Sequence, residues 1–299
     1  MKHYAPFLVA VGAISYGIPG SLFKLAHANR VTDGLLLAIT FSIAFLAFSI
    51  GRLLLNQQNR TVSSCKEKWL VIISGSSMGF TNTFYILSLA YVPVAIAAVM
   101  MMQSVWLSIL ISCLINRKLP TINQTISVVT ILVGTILATG LLPLQQAVSF
   151  IGMGLSFLSA LAYALTIQFT GNIGHDLHPL TKAQLMSIGA LIVVLIIWVP
   201  TIFPVYQLPA AISWGGLTSF FLMILPLTCF SFFMPHLPLG VGPIISSLEL
   251  PSSIVFAFFL LRERVTTAQI VGVVLIIAAV ILTNVLPLKL RRKYQRMKE

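Results

Sequence analysis

Acidic side chains are scarce in this sequence: six Asp and Glu stand among 299 residues, against 18 Lys and Arg. Charged residues make up only 8% of the chain, where a soluble domain carries about 25%. Water is therefore excluded as the main solvent. Cysteine is also rare, and Cys65, Cys113 and Cys229 lie far apart without a CxxC pair. Neither a disulfide framework nor a metal site is indicated. No GxxxxGK[ST], HExxH or GxSxG segment is present, which removes P-loop nucleotide hydrolysis, zinc-peptidase chemistry and nucleophile-elbow chemistry. The expectation is a protein that is not an enzyme, with no catalytic residues, cofactor or metal.

What the sequence has in abundance is apolar length, with 58% hydrophobic residues. A membrane-crossing helix needs about 20 mostly apolar residues. Ten runs meet that measure: 4–25, 34–55, 69–90, 92–115, 125–142, 148–169, 183–203, 214–234, 239–261 and 268–286. They are too long for barrel strands, and backbone groups in lipid must pair within their own segment. The expected class is all-α membrane. The third and fourth runs nearly merge, as do the eighth and ninth, so Pro93 and Pro238 are needed to divide them. The first run follows only Met-Lys-His and has no small-residue cleavage site, so it is read as a retained helix.

The net charge of +12 is spread between the runs and along the C-terminal tail, which leaves no basic face to build a nucleic-acid groove. Anionic lipid headgroups are the simpler partner, especially for Lys289, Arg291, Arg292 and Lys293. With the N-terminus inside, fourteen of the 18 Lys and Arg fall in cytoplasmic segments; only Lys24, Arg30, Arg262 and Arg264 fall outside. The positive-inside rule then places both termini in the cytoplasm of a multi-pass protein of the cytoplasmic membrane.

The sequence also repeats itself. An offset of 145 carries Pro93 onto Pro238, Arg117 onto Arg262, Thr121 onto Thr266 and Gln124 onto Gln269. An offset of 147 carries Tyr16 onto Tyr163. Matched polar and proline positions weigh more than matched leucines. Five helices is an odd number, so the second copy must enter the membrane from the opposite side. Two inverted five-helix repeats, 1–143 and 144–299, are expected around a central cavity, an arrangement suited to alternating access.

These features, with the Tyr91-Val-Pro-Val-Ala-Ile-Ala-Ala run and Ser247-Leu-Glu-Leu-Pro251 followed by Leu261-Arg-Glu-Arg, resemble the EamA-like branch of the drug/metabolite transporter superfamily. The resemblance spans nearly the whole chain. It implies two inverted five-helix bundles, a cavity lined mainly by helices 1, 3, 4, 6, 8 and 9, and export of amino acids or related metabolites. One departure is Met102-Gln-Ser-Val-Trp106, where many members place a proline.

Glu249 is the sharpest single feature, being the only acidic residue deep inside an apolar run. A carboxylate there costs several kcal/mol unless it is paired, hydrated or protonated. Two readings stand. One is a structural carboxyl bonding between helices or capping the segment cut by Pro251; the other is a site for a proton or a substrate ammonium group. Helix breakers cluster at Gly17-Ile18-Pro19-Gly20, Pro226, Pro243 and Pro251, where unwound turns can offer backbone groups to a solute or simply kink the helices. Tyr16, Tyr163, Asn82, Tyr85, Gln103 and Trp106 supply aromatic and amide groups. The spacing of three puts Asn82 with Tyr85, and Gln103 with Trp106, on shared helical faces. The cavity set is thus Tyr16, Pro19, Asn82, Tyr85, Gln103, Trp106, Tyr163, Ser246 and Glu249.

Gly75-Ser-Ser-Met-Gly79 reads as a close-packing motif. His175, Asp176 and His178 read as a solvated loop, and His236 as an interfacial histidine. The function expected is secondary transport of a small polar metabolite, with protons as the coupling ion under consideration. The competing classes are an intramembrane enzyme and a membrane sensor without flux. Paired acid and base groups at membrane depth would mark the enzyme, whereas only one deep carboxylate is found.

Overall fold

The computed structural model describes residues 4–54, 65–140, 149–174, 176–202, 207–238, 240–262 and 264–296. Lys2, Arg60, His175, Lys298 and the expected repeat boundary at 143/144 lie outside these residues, as do the side chains of the basic tail. The described residues are helical without a strand. In chain order the helices are α1 (Ala5–Ser15), α2 (Pro19–Ala28), α3 (Asp33–Leu54), α4 (Cys65–Ser88), α5 (Val94–Met101), α6 (Ser104–Asn116) and α7 (Ile122–Ala138). They continue as α8 (Phe150–Asn172), α9 (Pro179–Trp198), α10 (Leu208–Ser219), α11 (Leu225–Phe233), α12 (Val241–Ser246), α13 (Glu249–Leu261) and α14 (Thr267–Arg296). A π-turn at Phe220–Ile224 joins α10 to α11.

Among the described residues eight helical stretches are long and apolar enough to cross a membrane, and Ile122–Ala138 and Thr267–Leu282 are shorter apolar helices. Several helices begin before the apolar runs do, at Cys65, Pro179 and Leu208. Polar residues there still make helix bonds, so hydropathy alone places those starts late. Large apolar side chains such as Leu46, Leu114, Val129, Phe259 and Val274 face outward. On a soluble surface so much exposed apolar area would drive aggregation; against lipid it costs nothing.

The residues that match at offset 145 are the punctuation of the helices. Arg117 ends α6 and Arg262 ends α13, both in the left-handed conformation. Thr121 and Gln124 form a reciprocal capping box at the start of α7. Thr266 and Gln269 make the same pair of bonds before α14. Both elements preceding these caps are also interrupted: α5 gives way to α6 at Met102–Gln103, and α12 gives way to α13 at Ser247–Leu248.

Contacts between elements come in matching pairs. α4 packs on α8 and α9, as α11 packs on α1 and α10 on α3. α8 meets α5 and α6, as α1 meets α12 and α13. α7 packs on α14, and α3 on α9. The members of these last two pairs run antiparallel. Ser127 donates to the Ala279 carbonyl at 3.3 Å, while Gly134 lies against Gly272 and Ile276. Likewise Ser49 meets Gln184 at 2.8 Å, while Gly34 lies against Trp198 and Thr201.

Lipid supplies no hydrophobic drive between helices, so small residues and hydrogen bonds hold them. Gly75 and Gly79 of α4 meet the backbone of α9 at Met186 and Ala190, and Gly189 of α9 meets the backbone of α4 at Ile72 and Ser76. The GxxxG motif is thus used for packing within the chain. Ser159 donates to the Thr81 carbonyl at 2.8 Å and Trp198 to Thr83 at 3.1 Å. Bonds of this kind contribute about 0.6 kcal/mol each.

Candidate functional site

Three interrupted helices converge in the middle of the bundle. The first interruption spans Tyr16–Ile18: the Tyr16 N–H is shared between Gly12 O and Ala13 O, and the Gly17 and Ile18 N–H groups reach back three residues instead of the usual four. Pro19 then starts α2, since a proline is well tolerated in a first turn where no N–H partner is needed. At the second interruption Leu248 N–H bonds to Ile245 O, and Leu250 N–H to Ser247 O. Glu249 is thereby the first residue of α13. Gly17 holds these two breaks together. A side chain at Gly17 would overlap Ser252 Oγ and approach Ser253 N and Glu249 O at 2.5 and 2.8 Å. Only glycine permits this approach.

Between the breaks lies a cavity of about 120 Å³. Tyr16, Gly17, Pro19, Gly20 and Phe23 form one wall; Met78, Thr81, Asn82 and Tyr85 of α4 form a second. Ala98, Met101 and Met102 of α5 and its end, Tyr163 and Thr166 of α8, Leu222 of the π-turn, and Glu249, Leu250 and Ser253 of α13 complete it. The Tyr16 ring meets the Tyr163 ring edge-on with centroids 6.0 Å apart, and leans on Phe230 at 5.8 Å. The Glu249 carboxylate lies within polar reach of Tyr163 and interacts electrostatically with Tyr16 and Tyr85. Even so, neither Glu249 Oε2 nor Tyr163 Oη completes a hydrogen bond of ordinary geometry with another protein group.

The cavity continues into a wider vestibule of about 490 Å³, with which it shares Gly17, Gly20, Phe23, Tyr85, Ala98, Leu250 and Ser253. That vestibule reaches Lys24, His27, Asp33, Arg264 and Gln269, so access lies at the end of the bundle carrying residues 29–32 and 264–266. His27 and Asp33 stand 3.8 Å apart there. Polar contacts tie the helices together on the opposite side. Ser77 and Thr166 hydroxyls are 2.7 Å apart, and Gln168 donates to the Ser108 carbonyl. Lys182, only 3% exposed, donates to the Thr170 carbonyl at 2.6 Å.

Six of the nine expected cavity residues line it: Tyr16, Pro19, Asn82, Tyr85, Tyr163 and Glu249. Gln103 and Trp106 do not. They bond to each other at 2.8 Å, and Trp106 borders a groove between α6 and α7 with Leu110 and Leu114. The break at Met102–Gln103 explains this. Ala98, Met101 and Met102 mark the cavity face before it; Trp106 follows Met102 by four residues, but past the break the buried residues include Ser104, Val105 and Ser108, and Gln103 and Trp106 are left to the side. Ser246 is also outside; it is buried and donates to the Gly242 carbonyl at 3.1 Å. Sequence reasoning missed Met78, Met101 and Met102. Their signal was the stripe Met78, Thr81, Asn82, Tyr85 at helical spacing, with a methionine doublet opposite.

His178 is part of a helix start rather than a free loop residue. Its Nδ1 accepts from Leu180 N–H at 3.3 Å as the N-cap of α9, and its ring meets Phe232 edge-on at 5.7 Å. Partial burial lowers its pKa from the ordinary histidine value.

Two copies of one family pattern match this chain, at residues 3–140 and 150–285, and that pattern is the EamA-like transporter family. The chain belongs to the EamA-like transporter family. As an EamA-like transporter it is a multi-pass membrane protein of the drug/metabolite superfamily, a transporter rather than an enzyme, with a small-molecule passenger and a lipid surround. The EamA-like fold is also that of a solved structure titled only "Crystal structure of protein", at 14% identity, TM-score 0.74, covering 94% of this chain and 96% of that one. It is among 29 solved chains that match. No curated protein matches.

Proposed function

We propose that this EamA-like transporter is a secondary carrier that exports an amino acid or a related amine-bearing metabolite across the cytoplasmic membrane by alternating access. The chain crosses ten times as two inverted five-helix repeats, divided near 143/144, with both termini in the cytoplasm. The shorter apolar stretches Ile122–Ala138 and Thr267–Leu282 complete the ten crossings. Antiparallel pairing of α7 with α14 and of α3 with α9 supports the inversion, as does the recurrence of caps and breaks at offset 145.

The observation that carries this reading is the central cavity, which continues into the vestibule reaching Lys24 and Arg264 and in which Glu249 Oε2 completes no ordinary hydrogen bond. With the positive-inside orientation, the open end faces outward and the polar contacts from Ser77 to Lys182 close the cytoplasmic side. Flux into sealed vesicles containing only this protein tests the reading. Saturable uptake of a metabolite found by comparing cells with and without the protein is expected, and Glu249→Gln should lower it at least tenfold and flatten its response between pH 5 and 8. Full retention of protein-dependent flux in that variant would reassign Glu249 to structure, and no protein-dependent flux for any metabolite would leave the carrier reading without support.

A further inference from the structure

The cavity has an unbalanced supply of charge and hydrogen-bonding groups. Among its described lining residues there is one carboxylate, Glu249, and no Lys, Arg or His. Four of the neutral polar groups are already committed as donors, while the Tyr163 hydroxyl, beside Glu249, completes no bond. Thr81 donates to Ser77 O at 2.8 Å, Thr166 to Ala162 O at 3.0 Å and Ser253 to Leu250 O at 2.8 Å, while Asn82 spends one amide hydrogen on Met78 O at 2.9 Å. These side chains therefore turn chiefly acceptor oxygens toward the space. Around them stand the rings of Tyr16, Tyr85 and Tyr163 and the thioethers of the methionines.

We infer that the passenger is an organic cation, an amine or ammonium compound with an apolar or aromatic body and no carboxylate of its own. This rests on the cavity being the transport site, and it narrows the class proposed above. An ammonium group completes the hydrogen bonding of Glu249 Oε2, which has the Tyr163 hydroxyl within polar reach but no bond of ordinary geometry, and a buried carboxylate left so is costly. The ammonium can donate to the hydroxyl and amide oxygens of Thr81, Thr166, Ser253 and Asn82, and it lies against tyrosine faces that attract cations. An apolar body suits the methionine and aromatic walls. A zwitterionic amino acid brings a second charge to a cavity whose lining side chains hold no cation, within a few ångströms of Glu249.

The test compares three ligands of similar size in direct calorimetric binding to the detergent-purified full chain: phenethylamine, phenylalanine and phenylacetate. Phenethylamine is expected to bind at least tenfold more tightly than phenylalanine, and phenylacetate more weakly still. Glu249→Gln should weaken phenethylamine at least tenfold, while Trp106→Phe, outside the cavity, leaves it unchanged. Phenylalanine binding as tightly as phenethylamine in the wild-type protein overturns the inference whether or not the variant folds, and so does no binding of any of the three. Uptake into vesicles, compared with protein-free vesicles, separates the two readings. Protein-dependent uptake of phenylalanine but not phenethylamine keeps the carrier and sinks the cation; phenethylamine binding without any uptake keeps the cation site and sinks the carrier.

Discussion

Arg117 and Arg262, 145 positions apart, hold the same left-handed backbone conformation, at φ 51° and 55°, each as the last cap of an interrupted helix. Residues other than glycine adopt this conformation at a cost of about 1 kcal/mol. Two arginines accepting it at equivalent places means that the sharp exit from the helix matters more than local comfort. Arg117→Gly and Arg262→Gly are expected to keep or raise thermal stability in detergent by up to about 1 kcal/mol. Valine at either position, β-branched and ill-suited to positive φ, should lower it by more. Equal melting temperatures for glycine and valine would show that the conformation carries no such cost.

Gly17 and Gly20 lie three residues apart and should respond oppositely to alanine. At Gly17 a methyl group overlaps Ser252 and the backbone of α13, whereas at Gly20 nothing lies within 4 Å. Gly17→Ala is expected to cost about 1–3 kcal/mol through overpacking and to reduce flux. Gly20→Ala should leave stability within about 0.5 kcal/mol. Thermal unfolding of the two variants in parallel decides the matter.

Helical phase on either side of Met102 makes a labelling prediction. With the native cysteines removed, Met101→Cys should react with a water-soluble thiol reagent added from the vestibule side, and a bound passenger should protect it. Trp106→Cys should gain no such protection. Protection of Trp106→Cys alone would move the cavity to the groove between α6 and α7.

His178 provides a pH dependence with a defined sign. Its imidazole must be neutral to accept from Leu180 N–H, and its folded-state pKa is lowered from the ordinary 6.5. The capping contribution is thus fully present above about pH 6.5 and is lost as pH falls through the lower folded-state value. A cap of this kind contributes about 1 kcal/mol. His178→Asn should keep the cap and abolish this part of the acid sensitivity, as read by thermal unfolding between pH 5 and 8. Identical acid profiles for wild type and variant would count against it.

Much of the architecture was legible because membrane helices advertise their length and their ends. Pro93, Pro238, Thr121, Gln124, Thr266 and Gln269 all stood out as polar or rigid residues in apolar surroundings, and each is a helix boundary or cap. Glu249 was legible for the same reason. The inner details were not. Cavity walls made of Met78, Met101 and Met102 are as apolar as the lipid-facing Leu114, so hydropathy cannot separate a face that meets solute from one that meets hydrocarbon. Gln103 and Trp106 did share a helix face, as their spacing required, but spacing alone does not say which way that face points. Ser246 is only three residues from Glu249, yet its side chain is turned inward to the turn before it.

The break in the first membrane segment has no counterpart in its repeat partner. At the offset that pairs Tyr16 with Tyr163, the residues Gly17, Pro19 and Gly20 correspond to Ala164, Thr166 and Ile167, and α8 runs unbroken through them. A proline inside a helix costs about 3 kcal/mol, so α1 and α2 cannot straighten cheaply, and α8 has nothing that would help it bend. The two halves are alike in outline and unequal in stiffness. In the rocking motion proposed above, α8 would move as one rod while α1 and α2 turn about Gly17, beside the vestibule that reaches Lys24 and Arg264.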